Sequence, residues 1–203
     1  MKRVLAYHLI MTAYGFWLPN DPRGSWSDFV RSWELFLFGG PATRTQERRS
    51  LAREPHDVAK RLEAKRHLAR KPVEFTGLQA RAIARGFASY VERSGLIVFA
   101  CSILPRHVHM VVARHTCSIE QVARLLKGAA TSELLREGLH PFGDAPYRDG
   151  TIPTPWARKQ WSVFLDDDHS TRRAIRYTAN NPERERKRPQ QYSFLSPFTG
   201  LVA

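Results

Sequence analysis

The period of the hydrophobic pattern switches repeatedly along this chain, and the order of the switches restricts the available folds more than any single residue does. Val4 to Tyr14 alternates and is rich in Val, Leu, Ile, Tyr and Thr, which predicts a strand. Thr76-Gly77-Leu78-Gln79 reads as a capping box. Leu78, Ile83, Phe87, Tyr90 and Val91 then recur at helical spacing until Gly95 stops the run. Leu96 to Leu104 is an apolar strand, Pro105-Arg106 turns it, and His107 to Arg114 returns as a second strand. Ser118-Ile119-Glu120-Gln121 opens another helix, whose stripe of Ile119, Val122, Leu125, Leu126, Ala129, Leu134 and Leu135 ends at Gly138. Past a Gly/Pro/Asp-rich loop over 138–155, Trp156 to Leu165 has strand character. A last helix runs from about Ser170 to Asn180 and stops near Pro182.

Strand, helix, strand, strand, helix, strand is the βαββαβ order of a ferredoxin-like, or split-βαβ, α+β fold. It implies an antiparallel sheet with helices on one face, here followed by a C-terminal helix. Two segments lie outside this order. Residues 25–40 carry Trp26, Phe29, Trp33, Phe36 and Phe38 and read as a packed but irregular excursion. Residues 41–75 hold ten Lys/Arg against five Asp/Glu, a balance of 10 − 5 = +5, with a helix expected around Asp57 to Leu68. The 25–75 region has too few aliphatics for a core of its own, so it reads as a basic, aromatic insertion within a single 1–203 domain. Residues 183–203 form a basic tail that becomes aromatic at Tyr192, Phe194 and Phe198.

Charge narrows the partner. Thirty-two Lys/Arg against 19 Asp/Glu leave +13 on 203 residues, which implies a polyanion, with nucleic acid the default. An anionic membrane surface fits less well, because no basic amphipathic helix stands alone. No apolar run approaches the roughly 18 residues of a membrane span, and Met1-Lys2-Arg3 leading into Tyr7 and His8 is too polar for a signal peptide. Cys101 and Cys117 match neither a zinc knuckle nor a redox pair. The expected setting is a reduced cytoplasm, in association with the nucleoid.

Chemistry concentrates in two places. In His107-Val108-His109 the imidazoles sit at i and i+2 of a strand, hence on one face with their Cα atoms about 7 Å apart, a spacing suited to sharing one metal ion. The plainer reading is two partly buried strand histidines. In the last helix, Tyr177 and Asn181 are four residues apart and share a face. A tyrosine hydroxyl attacks a phosphodiester when a metal or a cationic environment activates it. The plainer reading there is a core tyrosine beside an Asn-Pro stop. Pro182 biases Asn181 away from helical angles, which leaves Asn180 as an alternative.

Taken together, these residues resemble a known family. Leu104-Pro105-Arg106-His107-Val108-His109-Met110-Val111-Val112 resembles the Pro-x-His-Val-His-hydrophobic signature of the single-tyrosine HUH transposases, the IS200-like group that includes the REP-associated tyrosine transposases. Ala174-Ile175-Arg176-Tyr177-Thr178-Ala179-Asn180-Asn181-Pro182 is similar to that family's nucleophile helix, and Trp156-Ala157-Arg158-Lys159-Gln160-Trp161 to the segment before its last strand. The likeness covers Val4 to Tyr14 and roughly 76–185.

The resemblance implies Tyr177 as nucleophile and His107, His109 and Asn181 as ligands of a divalent ion, Mg²⁺ or Mn²⁺. It implies a 5′-phosphotyrosine intermediate on single-stranded or hairpin DNA, and it leaves a homodimer open, since the nucleophile helix of some members comes from a second subunit. Arg172, Arg173 and Arg176 beside the tyrosine are expected to meet phosphate. Lys127 is a candidate for DNA or the phenolate, or else a solvated helix residue. Arg23 is a candidate for phosphate, or else a partner of Asp21. His8 reads as a satisfied core histidine. Trp17, Trp26 and Trp33 stack on bases or pack the insertion. Two other functions compete: a catalytically silent nucleic-acid-binding module, and a metal-dependent hydrolase that uses water.

Overall fold

The computed structural model describes residues 4–25, 27–46, 51 and 54–200. Trp26 and the Met1-Lys2-Arg3 start lie outside the described residues. In chain order the elements are β1 (Ala6–Ala13), α1 (Trp33–Gly39), α2 (Val58–Arg66), α3 (Gly77–Ser94), β2 (Val98–Ile103), β3 (His107–Ala113), α4 (Ile119–Arg136), β4 (Trp156–Leu165), α5 (Asp168–Ala179) and α6 (Asn181–Arg184). They fall into two compact units, one running up to Ala13 and resuming at Glu74, the other spanning Tyr14–Val73. No helix among the described residues is long and apolar enough to cross a membrane.

The first unit is α+β, built on a four-stranded antiparallel sheet in the order β2-β3-β1-β4, so β1 and β3 are central. Its helices begin where their caps say they should. Thr76 Oγ1 accepts from the Gln79 amide at 3.3 Å and Gln79 Oε1 accepts from the Thr76 amide at 2.9 Å, the reciprocal capping box. Such a cap contributes about 1 kcal/mol. Gly95 ends α3 at φ 66°, a left-handed conformation that costs glycine nothing.

Strand alternation sorts the sheet's side chains. Leu9, Met11, Val108 and Met110 point to one face and are fully buried, as are Ile83 and Phe87 of α3 and Leu126 of α4. Helices α3 and α4 cover this face and also pack tightly on each other. A Cβ on Gly86 of α3 would stand 2.6 Å from the Ala129 carbonyl oxygen. A mid-helix glycine weakens a helix by about 1 kcal/mol relative to alanine, and here the close approach of the two backbones accounts for it.

The opposite face is only partly covered. Helix α5 packs there, where Ala174 joins Ala6, Ala100, Val111 and Leu165 in a small apolar cluster flanked by Phe99 and Ile175. The same face of β1 and β3 carries His8, Ile10, His107 and His109. The tail completes the sheet. Gln190 Oε1 accepts from the Ile103 amide and its Nε2 donates to the Ile103 carbonyl, both at 2.8 Å, and the Ser196 amide donates to the Val98 carbonyl at 2.7 Å. The free edge of β2 is thereby occupied by the chain itself.

Helix α5 ends just before Pro182 as the sequence suggested, but a further short helix follows it. Asn180 closes α5 in a right-handed helical conformation, and Asn181-Pro182 then start α6. Proline is tolerated in a first turn because its missing N–H has no partner to lose there.

The second unit holds α1 and α2 around Leu18, Leu35 and Ala64, with Val30 and Leu68 packed against them. Helix α1 lies in the excursion expected to be irregular. Ser32 caps it by accepting from the Leu35 amide at 3.2 Å, and Asn20 Nδ2 donates to the Leu35 and Gly40 carbonyls at 2.8 and 3.1 Å. Cap and buried amide together stabilise a seven-residue helix too short to form by propensity alone.

Candidate active site

Strand β3 holds the His107 and His109 rings on one face with their centroids 4.9 Å apart and their planes nearly perpendicular. Helix α5 brings Tyr177 to them within the same chain. The Tyr177 ring centroid stands 5.4 Å from that of His109, and the residue keeps 38% of its surface exposed, so the phenol remains open to a large substrate. Arg184 of α6 places its guanidinium 4.8 Å from the Tyr177 ring centroid, over the face.

Asn181 is buried (5% exposed), whereas Asn180 is exposed. The Asn181 Nδ2 is a buried polar atom without a hydrogen-bond partner among the described residues, and so is Ser102 Oγ. Ser102 lies directly across from His109 in the sheet and therefore on the same face. Glu185, which follows α6, puts its Oε1 3.6 Å from His107 Nε2. Burial raises the Glu185 carboxyl above the ordinary carboxylate range, against the smaller opposing pull of Arg106 and Lys187.

Burial also decides the charge of the imidazoles. Desolvation lowers His8 to about 4, and it lowers His107 to about 4 with a smaller contribution from the Arg106 charge. His109 is held well below the ordinary value by desolvation first and by its two histidine neighbours next. At neutral pH all three rings are uncharged, each with a lone pair on one nitrogen. No group of three or more His, Cys, Asp or Glu side chains is arranged to hold a metal ion among the described residues.

His8 joins this cluster, which the sequence did not show. It is a half-buried strand histidine with a partner, as expected, but the partner is His109: His8 Nε2 and His109 Nδ1 are 2.9 Å apart. Its ring centroid is also 5.8 Å from that of Tyr177, and Thr178 Oγ1 stands 3.4 Å from its Nε2. Alternation within β1 showed which residues share its face. Only the pairing of β1 with β3 puts that face beside His107 and His109. Ser102 was missed for the same reason, and Arg184 and Glu185 were visible only as members of a charge run.

The remaining candidates divide. Arg173 and Arg176 lie exposed on α5 with Tyr177. Arg172 is exposed too, 5.0 Å from the Phe198 ring centroid and 3.9 Å from Asp168. Lys127 is not a solvated residue. It is buried in α4, which covers the other face of the sheet, and its Nζ donates to the Ala157 and Lys159 carbonyls at 2.8 and 3.0 Å, with burial lowering the amine to about 8. In the second unit Arg23 makes a two-pronged pair with Asp21, each N···O distance 2.7 Å, and lies over the Trp17 ring. Trp17 itself donates to the Gly24 carbonyl at 2.8 Å, whereas Trp33 is exposed and stacked on Phe36.

No family model matches the chain, and no curated protein matches it. Among solved structures it is similar to a REP-associated tyrosine transposase bound to a REP hairpin, at 10% identity over 91% of this chain and 70% of that one, with a TM-score of 0.46. It is also similar to a candidate transposase from Deinococcus radiodurans R1, at 13% identity over 89% of this chain and 92% of that one, with a TM-score of 0.41.

Proposed function

We propose that this chain is a single-tyrosine transposase of the IS200-like, REP-associated kind, which nicks and rejoins single-stranded or hairpin DNA with the help of a divalent ion. The observation that carries the reading is the approach of the Tyr177 ring to within 5.4 Å of the His109 ring in one chain. It joins two motifs about seventy residues apart in sequence. A solvated cationic surface beside the tyrosine, from Arg173 and Arg176, supports a phosphate backbone as the partner.

The side chains present fit a divalent ion. Two neutral imidazoles offer lone pairs, the buried Ser102 hydroxyl oxygen has no partner among the described residues, and the buried Asn181 amide carries a carbonyl oxygen able to ligate. His107, His109 and the Asn181 amide would hold it, a mixed nitrogen and oxygen set that suits Mn²⁺ and, with more retained water, Mg²⁺. Bound there, such an ion supplies Lewis-acid neutralisation of a non-bridging phosphate oxygen.

Tyr177 supplies the covalent chemistry. Its Oη forms a bond to phosphorus as the bond from phosphorus to the 3′-oxygen breaks, and the departing 3′-oxygen gains one proton for the one the phenol gives up. The product is a 5′-phosphotyrosine with a free 3′-hydroxyl. Because the link keeps the phosphodiester's free energy, attack by an incoming 3′-hydroxyl rejoins DNA without a nucleotide cofactor. Arg173 and Arg176 hold the backbone beside the phenol.

The test uses a pool of 3′-labelled hairpin and single-stranded oligonucleotides with Mn²⁺ or Mg²⁺. The expected result is a labelled, SDS-resistant protein–DNA adduct that Tyr177→Phe abolishes while DNA binding persists. Tight binding with no adduct from any member of the pool overturns the reading in favour of a silent binding module. Cleavage without protein-linked DNA overturns it in favour of hydrolysis.

A further inference from the structure

His8 has no part in the chemistry just described, yet its ring is at hydrogen-bond distance from that of a proposed ligand. Its Nε2 lies 2.9 Å from His109 Nδ1, a hydrogen-bond distance between two ring nitrogens. We propose that His8 is a positioning residue: it accepts a hydrogen bond from His109 Nδ1–H, fixes that tautomer, and so leaves His109 Nε2 as the bare donor nitrogen for a divalent cation. This deepens the proposed function and rests on it.

Proton counting gives the argument its force. Two bare nitrogens at this distance repel, and two protonated ones collide, so a single proton lies between the rings. A histidine that ligates a cation does so as the neutral imidazole. A neutral imidazole carries one N–H and one lone pair. If His8 donated, His109 would have its only N–H at Nε2 and no lone pair left for a cation. If His109 donates, its Nε2 is free to ligate and His8 carries its own proton at Nδ1. The second arrangement is the one that a metal-ligating histidine adopts, its other ring nitrogen donating to a fixed acceptor.

The framework suits the role. In the register, His8 faces Val111 while His109 faces Ile10, so the histidines are diagonal neighbours on one face of the central strand pair. Diagonal neighbours are within reach of ring side chains, and here both backbones are held by ladders on either side. Thr178 Oγ1, 3.4 Å from His8 Nε2, lies one residue from Tyr177 and brings the same imidazole beside the nucleophile's helix. One side chain thus stands between the ligand strand and the tyrosine helix.

The experiment has two readouts. In the metal-free wild-type protein, long-range ¹H–¹⁵N NMR of the histidine rings is expected to show His109 protonated at Nδ1 and His8 bare at Nε2. A His109 already protonated at Nε2 overturns the proposal without any variant. The second readout is Mn²⁺ binding followed by the EPR signal of the free ion. His8→Phe keeps a ring but removes the acceptor and is expected to weaken binding by about 10- to 100-fold, the usual effect of losing such an outer partner. His8→Gln keeps an acceptor and is expected to restore most of the affinity. Unchanged affinity in His8→Phe, or equal loss in both variants, overturns the proposal. A wild-type protein that binds no Mn²⁺ rejects the metal-assisted reading itself, and the ring tautomer still decides the role of His8.

Discussion

The guanidinium of Arg184 lies over the face of the Tyr177 ring, 4.8 Å from its centroid. A cation above an aromatic face is attracted to the ring, and the attraction grows as the oxygen becomes phenolate. In the proposed reaction Tyr177 has that character both when it attacks and when it leaves during joining. With a contribution of about 0.5–1 kcal/mol at an exposed site, Arg184→Gln is expected to slow adduct formation and strand joining about two- to fivefold, with Arg184→Lys between. Single-turnover gels measure both rates, and unchanged rates in Arg184→Gln would remove Arg184 from the site.

The two adjacent asparagines separate cleanly. Asn181 is buried with an unsatisfied Nδ2, and Asn180 is exposed. We expect Asn181→Ala to lower Mn²⁺ affinity and adduct formation at least tenfold, and Asn180→Ala to leave both within about twofold, the ordinary range for a surface substitution. The reverse pattern in Mn²⁺ titrations would transfer the ligand role to Asn180.

Neutral buried histidines make folding stability depend on acidity. His8 and His107 are lowered to about 4 in the folded chain, while an unfolded histidine titrates near 6.5. Between those values the unfolded state binds more protons, so their contribution is complete above about pH 6.5 and is lost as pH falls towards 4. The slope approaches about 1.4 kcal/mol per pH unit for each histidine. Glu185, with its raised carboxyl, works in the opposite sense, but it is one group against His8, His107 and His109. Urea unfolding of metal-free protein is expected to give clearly lower stability at pH 5 than at pH 7.5. Equal midpoints at the two values would mean the histidines are not desolvated.

Basic residues on opposite faces of the sheet are expected to behave differently. Each phosphate contact contributes about 0.7 to the salt slope of single-strand binding. Removing exposed Arg173 and Arg176 together should flatten the slope by about 1.4. Lys127→Met removes an amine bonded to the Ala157 and Lys159 carbonyls and should lower stability by about 1–3 kcal/mol with the salt slope unchanged. A flattened slope in Lys127→Met would return that residue to the DNA surface.

Much of this was legible in the chain. Alternation and 3.6-residue periodicity placed all four strands and helices α3, α4 and α5 to within a few residues, because apolar burial imposes those periods directly. The capping box at Thr76 was readable because it is a bond between residues three apart. Helix α1 was not, since its stability depends on Asn20, a buried amide fifteen residues from Leu35. The end of α5 before Pro182 was legible, but the short α6 was not, because the rule for proline describes an ongoing helix, and here proline starts a new one.

By itself the sequence determined which residues share a face: His107 with His109, and Tyr177 with Asn181. Those relations follow from the backbone geometry of a strand and a helix, and need no partner. Tertiary structure alone decided which faces meet. It set β1 beside β3, turning an unremarkable strand histidine into the neighbour of His109, and laid α5 across that face so that Tyr177 reached the imidazoles. It also sent Lys127 into the opposite layer. Strand order and helix docking come from contacts between residues far apart in the chain, and no local period records them.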